Sequence, residues 1–334
     1  MSLSHLLVLS LASTHAALPV VGRHASLDPT TTIAGPVLAP RTQSSASTRP
    51  IEPDDAAREL AWLRSLQGGE YALPADVAPA QVLARVRKAL GATDPALRDD
   101  VTYDLMRHWL FPKARFDDAV LREHATALIT QLAVPSSAPA PGDESVLLRS
   151  FSALHLSLLA ASDLQRPFLD DAGWRALLDA ALAYLAAERD VRGWVDGTGW
   201  HHSVAHTADL LKFLARSPRF QPDDEARVLS AVETKLAAVP TVLAWGEDER
   251  LAAVLASLVK RADFDAAPFD AWLARERTRR AAVWSAQPFD PARFVTAQNA
   301  RNVLASLHLA LSSVAEPTPT IDAAKKALLD ALRG

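Results

Sequence analysis

Gly199-Trp200-His201-His202-Ser203-Val204-Ala205-His206-Thr207-Ala208-Asp209-Leu210-Leu211 is the stretch on which the fold turns. At helical spacing Val204, Ala208, Leu211 and Ala215 make one apolar stripe. His202, His206 and Asp209 fall at i, i+4 and i+7 and share the other side with Phe213. A helix that carries buried-type residues on both sides belongs in an interior. The segment therefore predicts a helix from about Trp200 to Arg216, ending before Pro218 and enclosed by other helices.

Outward from this segment the same period recurs. Val101, Leu105 and Trp109 form a stripe, as do Val120 or Leu121 with Leu128 and Leu132, Phe151 with Leu154 and Leu158, and Val303 with Leu307 and Leu311. Asp94-Pro95 and Asp290-Pro291 each put an N-cap acid before a proline, Asp117 and Asp171 are further N-cap candidates, and Gly91 suits a helix C-terminus. No stretch alternates in the manner of a strand, and glycine is scarce at 12 of 334 residues, so strands are not expected. The fold class expected is all-α: stacked helical hairpins in a HEAT-like α/α superhelix, with a closed α/α toroid as the alternative.

Three regions are expected. Residues 6–12 are an apolar run and Thr14-His15-Ala16 offers a small-residue cleavage site, so 1–16 reads as a signal peptide, although Met1 to His5 hold no Lys or Arg. Residues 17–54, rich in Pro, Ser, Thr and Ala, read as a disordered tether. Residues 55–334 form the helical domain, with a joint at 134–143. The expected location is periplasmic or secreted, or cytoplasmic if 1–16 is no signal.

Composition excludes several function classes. A net charge of −4 argues against a nucleic-acid partner and gives the whole chain no pull toward anionic membranes. The absence of cysteine removes thiolate nucleophiles, disulfides and Cys-based metal sites. No apolar run is long enough for a membrane span, and no phosphate-cradling glycine loop, Rossmann fingerprint, His-Glu-x-x-His or EF-hand loop is present.

Two chemistries suit the loaded segment. His202, His206 and Asp209 could ligate one divalent metal such as zinc, with Asp196, Glu188, His155 or His308 as the fourth ligand, and the metal would then activate a water for hydrolysis. Alternatively they form a buried hydrogen-bond network with backbone and with Arg192 or Asn299. A Ser203–His206 nucleophile pair lacks the usual turn motif and any group to orient the base. The candidate pocket gathers Trp200, His202, His206, Asp209, Arg192, Asp196, Asn299 and Asn302. Trp194 and Trp200 flank Asp196, an arrangement that would suit a sugar ring or, more simply, core filling. Arg275, Arg277, Arg279 and Arg280 read as a solvated helix face.

Ser150-Phe151-Ser152-Ala153-Leu154, Glu188-Arg189-Asp190-Val191-Arg192-Gly193-Trp194-Val195 and the 199–211 segment together resemble the bacterial family called domain of unknown function 2785. The family text is similar to Arg-Gly-Phe-Val followed by Gly-Trp-Ala-His-x-x-Ala-His-x-Ala-Asp-Leu-Leu. Trp194 stands for the usual Phe and His201 for the usual Ala, while His202, His206 and Asp209 are kept. The resemblance extends over most of 55–334 and implies an all-helical domain without an assigned activity or catalytic residue. The function expected is therefore an exported helical-repeat scaffold that binds a protein or small-molecule ligand, with a metal-dependent hydrolase as the alternative.

Overall fold

The computed structural model describes residues 53–111, 114–133, 142–285 and 287–333. The expected signal at 1–16, nearly all of the expected tether and residues 134–141 of the joint lie outside the described residues. Twelve α-helices are found among those described. They are α1 (Pro53–Gly68), α2 (Pro79–Ala89), α3 (Thr102–Leu110), α4 (Asp118–Gln131), α5 (Val146–Gln165) and α6 (Asp171–Ala187). After a short ribbon come α7 (Ser203–Leu214), α8 (Pro222–Ala238), α9 (Glu247–Val259), α10 (Ala266–Ser285), α11 (Pro291–Ser312) and α12 (Pro319–Arg333).

Helices two apart in the chain pack on each other. The contacts α3–α5, α5–α7, α7–α9 and α9–α11 make one row, and α2–α4, α4–α6, α6–α8, α8–α10 and α10–α12 make a second. Pairs such as α4–α5, α6–α7 and α10–α11 join the rows. Successive hairpins produce this order when each lays its apolar faces on the one before. The all-α class is thus observed.

Several boundaries follow the expected punctuation. Asp290 accepts from the amides of Ala292 at 3.0 Å and Arg293 at 3.3 Å, with Pro291 at the first helical position of α11. The cap of α6 is Asp170 rather than Asp171: its extended backbone aims the carboxylate at Gly173 N, 2.7 Å away. Asp94 accepts from Ala96 N at 2.9 Å, but the element it opens is a π-helical turn, Ala96–Val101, leading into α3.

The largest departure precedes α7. The helix begins at Ser203, not near Trp200, because residues 194–200 form a two-stranded antiparallel ribbon, β1 (Trp194–Val195) and β2 (Gly199–Trp200). Strand pairing here is too short to leave an alternating pattern in the sequence. Gly199 makes the ribbon possible: its φ is +75°, and a Cβ there would stand 3.1 Å from Pro95 Cβ. Beyond the ribbon, every residue of α7 is buried, packed by α5, α6 and α9. The interior position expected from its two-sided apolar pattern is observed.

Candidate functional site

The segment that leads into α7 is held by buried charge. Glu188, at the end of α6, accepts from the amides of Arg189 at 2.8 Å and Asp190 at 3.0 Å through one carboxylate oxygen, and from Arg149 Nε at 2.6 Å through the other. Lys235 Nζ donates to the Glu188 carbonyl, and burial lowers the Lys235 pKa to about 8. Asp190 accepts from Arg192 N at 3.1 Å and from Arg192 Nη2 at 2.6 Å. Arg192 also donates to the Asp143 carbonyl at 2.8 Å and to Glu144 at 3.3 Å. Glu144 in turn meets Nε2 of the fully buried His201. The ribbon rests on Arg98 from the π-helical turn, whose guanidinium donates to the carbonyls of Thr198 at 2.5 Å, Trp200 at 3.3 Å and Ala92 at 2.6 Å. Arg98 is fully buried, and desolvation lowers its pKa.

The three residues singled out at helical spacing behave differently from one another. His202 is the N-cap of α7: its carbonyl accepts from His206 N at 2.9 Å, but its φ of 46° lies in the left-handed region, outside the helical conformation. Its Nε2 donates to the Trp245 carbonyl at 3.1 Å, and its ring stacks on Trp200 at 4.1 Å. His206 meets the Ser150 hydroxyl through Nδ1 at 2.8 Å and lies edge-on to Phe151 at 4.9 Å. Burial, reinforced by His202 and Arg250, holds the His206 pKa well below the usual imidazole value, so the ring is neutral at pH 7. The Ser150 hydroxyl also donates to the His201 carbonyl, which makes His206 Nδ1 the donor to Ser150. The two imidazole rings are 5.7 Å apart, edge to face.

Asp209 turns elsewhere. Lys212 Nζ donates to one of its oxygens at 2.8 Å and Arg250 Nη1 to the other. Among the described residues no group of three or more His, Cys, Asp or Glu side chains is placed to hold one metal ion. Of the other metal-ligand candidates, His155 contacts Thr102 Oγ1 at 3.3 Å, and burial lowers its pKa to about 3. Ser203 donates to the Asp190 carbonyl and so does not face His206 as a nucleophile would.

The remaining candidates divide as well. Asp196 is exposed and accepts from Trp194 Nε1 at 3.0 Å, in the ribbon turn. Asn299 is fully buried and staples the 240–246 loop: its Oδ1 accepts from Leu243 N at 2.9 Å and its Nδ2 donates to the Thr241 carbonyl at 3.0 Å. Asn302 accepts from Gln298 Nε2 at 2.7 Å on its own helix. Of the three network residues, His202 bonds backbone, its ring to the Trp245 carbonyl and its amide to the Arg192 carbonyl at 3.0 Å, whereas His206 meets Ser150 and Asp209 meets Lys212 and Arg250.

A cleft of about 510 Å³ lies between residues 189–193 and 240–247. Of the eight pocket candidates only Arg192 lines it. Its walls include Arg189, Asp190, Val242, Leu243, Trp245 and Glu247. Trp245 is half exposed, and its indole lies over Gly193, T-shaped to Trp200 at 5.9 Å. Glu247 is buried, which raises its pKa, and accepts from Trp245 N at 2.8 Å. Arg189 is exposed, and among the described residues its guanidinium has neither ion pair nor hydrogen bond. The sequence did not join Arg189 and Gly193 to Trp245, which lies more than fifty positions further along the chain and across the cleft. A glycine at 193 was the one signal available, and it gave no address for the aromatic that covers it.

The family described as protein of unknown function (DUF2785) matches residues 137–309, which span the cleft, all of α7 and both loops. No curated protein matches the chain, and no solved structure matches it.

Proposed function

The chain belongs to the DUF2785 family of proteins of unknown function, and from that premise we propose that it is a binding protein rather than a catalyst. The all-helical stack is the scaffold, and the ligand occupies the cleft between 189–193 and 240–247. Its ligand is a small organic anion with a flat apolar part.

One observation carries this reading: the half-exposed indole of Trp245 and the guanidinium of Arg189, unengaged among the described residues, border the same cleft. An aromatic wall takes an apolar body and a guanidinium takes a carboxylate or similar group. Of the groups with chemistry suited to catalysis, His202 holds the cleft wall through the Trp245 carbonyl. A metal-dependent hydrolase would need Asp209 to leave Lys212 and Arg250, and His206 and His202 to be turned toward a common point. In this reading the hairpins curve as a HEAT-like stack, and the apolar run at 6–12 directs export with cleavage after Ala16. No described helix is long and apolar enough to cross a membrane.

Naphthalene-2-acetate, an apolar ring with one carboxylate, tests the cleft by energy transfer from tryptophan. Saturable binding is expected, weakened about tenfold in Trp245→Ala and in Arg189→Gln. Naphthalene-2-methanol, which lacks the charge, should bind more weakly to the native chain and be indifferent to Arg189→Gln. Equal affinity of native chain and Trp245→Ala for the acid would remove the cleft as the site. N-terminal sequencing of exported protein, with Ala17 first, tests the signal.

A further inference from the structure

The turn between α10 and α11 exposes aromatic surface that the helix stack does not use. Trp284 is 73% exposed and Phe289 50% exposed, whereas Trp272 and Val283 of α10 are buried in the core. The rings of Trp284, Phe289 and Phe294 gather at the tip, with centroids 6.2, 6.0 and 6.1 Å apart. The charges beneath this tip are sorted. Arg275 and Arg279 pair with Glu233 at 2.8 and 2.7 Å, and Arg280 donates to the Ala331 carbonyl at 2.6 Å. Asp290, the acid of the turn, caps α11 and pairs with Arg293 at 3.2 Å.

Two arginines are left over. Arg277 and Arg301 are exposed and make no ion pair or hydrogen bond among the described residues. Arg277 precedes Trp284 by seven residues on α10, and Arg301 follows Phe294 by seven on α11. Seven residues are two turns, so each arginine lies on the face of its aromatic partner and about 10 Å further from the tip. The two helices pack side by side; burial lowers the Arg280 pKa, and repulsion from the nearby Arg301 adds to that.

We propose that the α10–α11 tip docks on an anionic lipid surface, with Trp284 and Phe289 entering the headgroup boundary and Arg277 and Arg301 meeting lipid phosphates. The depth fits: interfacial segments bury their apolar side by about 5–10 Å, which leaves the two guanidiniums at headgroup level. Aromatic rings prefer that boundary, and unpaired guanidiniums complement its negative charge. The net charge of −4 averages over the whole chain and hides this local balance.

Vesicle flotation of the full chain tests the proposal. Vesicles of phosphatidylcholine and phosphatidylglycerol at about 3:1 should carry the protein, and pure phosphatidylcholine far less. Trp284→Ala with Phe289→Ala should reduce the bound fraction at least about fivefold, and Arg277→Gln with Arg301→Gln about threefold with loss of salt dependence. All four side chains are exposed, so thermal unfolding of both variants should match the native chain and separate lost docking from lost folding. Undiminished flotation of the aromatic variant would overturn the proposal, as would the absence of binding to the anionic vesicles. Concentration-dependent dimerisation that the aromatic variant abolishes would instead assign the tip to a second copy of this chain.

Discussion

The α-carbon of Gly193 lies directly beneath the indole of Trp245: a Cβ built on it would stand 2.1 Å from Trp245 Cδ1 and 2.8 Å from Trp245 Cβ. The second distance matters more than the first, because a side chain can swing its ring away but not its own Cβ. The 189–193 and 240–247 walls of the cleft are therefore held at this spacing by a missing methyl group.

Gly193→Ala should push Trp245 and its loop outward. The expected loss is about 1–3 kcal/mol, typical of overpacking. Tryptophan emission should shift red as Trp245 enters water, and naphthalene-2-acetate binding should fall with it. An unchanged emission spectrum in a fully folded variant would show that the loop yields without consequence.

The buried pair Arg149–Glu188, 2.6 Å apart with both side chains under 10% exposed, fixes the start of the same wall. Arg149→Met leaves the Glu188 carboxylate enclosed without its cation and should cost about 3–5 kcal/mol. Combining it with Glu188→Gln should recover part of that loss, since the uncompensated charge goes too. Urea unfolding of both singles and the double reads the coupling. A double variant that is simply the sum of the singles would mean that the two groups do not act as a pair.

The helices were legible in the sequence, and much of the site was not, for reasons that can be traced to particular residues. Periodicity reports which side of a helix is apolar, and α7 was readable as interior because Val204, Leu211, His206 and Phe213 left it no polar side. Periodicity says nothing of what stands opposite. Arg98 bonds a carbonyl one hundred positions away, and Trp245 caps His202 from forty-three positions away. Spacing alone does not tell that His202 is the left-handed N-cap of α7 and not a residue within the helix. Asp209 was placed with the histidines by spacing, yet its neighbour Lys212, one turn on, claimed it.

Three enclosed imidazoles set the acid limit. Burial lowers the pKa of His124 and His206 well below the usual value and that of His155 to about 3. In the unfolded chain they titrate near about 6.5. Stability is thus full above that pH and is lost as pH falls toward the folded values, because only the unfolded chain takes up the protons. Each should contribute about 2 kcal/mol of loss by pH 5. Urea midpoints at pH 7.5 and 5 should differ accordingly, and His155→Phe should reduce the difference by about a third. A pH-independent midpoint over this range would contradict neutral burial.

Glu225 works in the opposite sense. Burial raises its pKa to about 7, against its amide bond from Asp265 and the nearby charge of Arg261, and one of its oxygens is buried without a partner. The protonated form is favoured by folding, so its contribution is complete below the unfolded value and is lost as pH rises through 7. Glu225→Gln imitates the protonated form. It should stabilise the protein at pH 8 by roughly 1–3 kcal/mol and make little difference at pH 4.5. Equal effects at both pH values would show that size, not charge, governs the site.

Asp209 separates a metal site from a buried hydrogen-bond network in its segment. Both of its oxygens are engaged by cations, and Lys212 is itself 7% exposed. Asp209→Ala strands that ammonium in the interior and should cost about 3–5 kcal/mol, whereas Asp209→Asn keeps an acceptor and should cost less. Zinc in excess should leave the melting temperature of the native chain unchanged, since a bound ion would add RT ln(1 + [L]/Kd) to stability. A zinc-dependent rise of several degrees, abolished by Asp209→Asn and by His206→Ala alike, would mean that the carboxylate exchanges its two cations for a metal and that hydrolysis is open again.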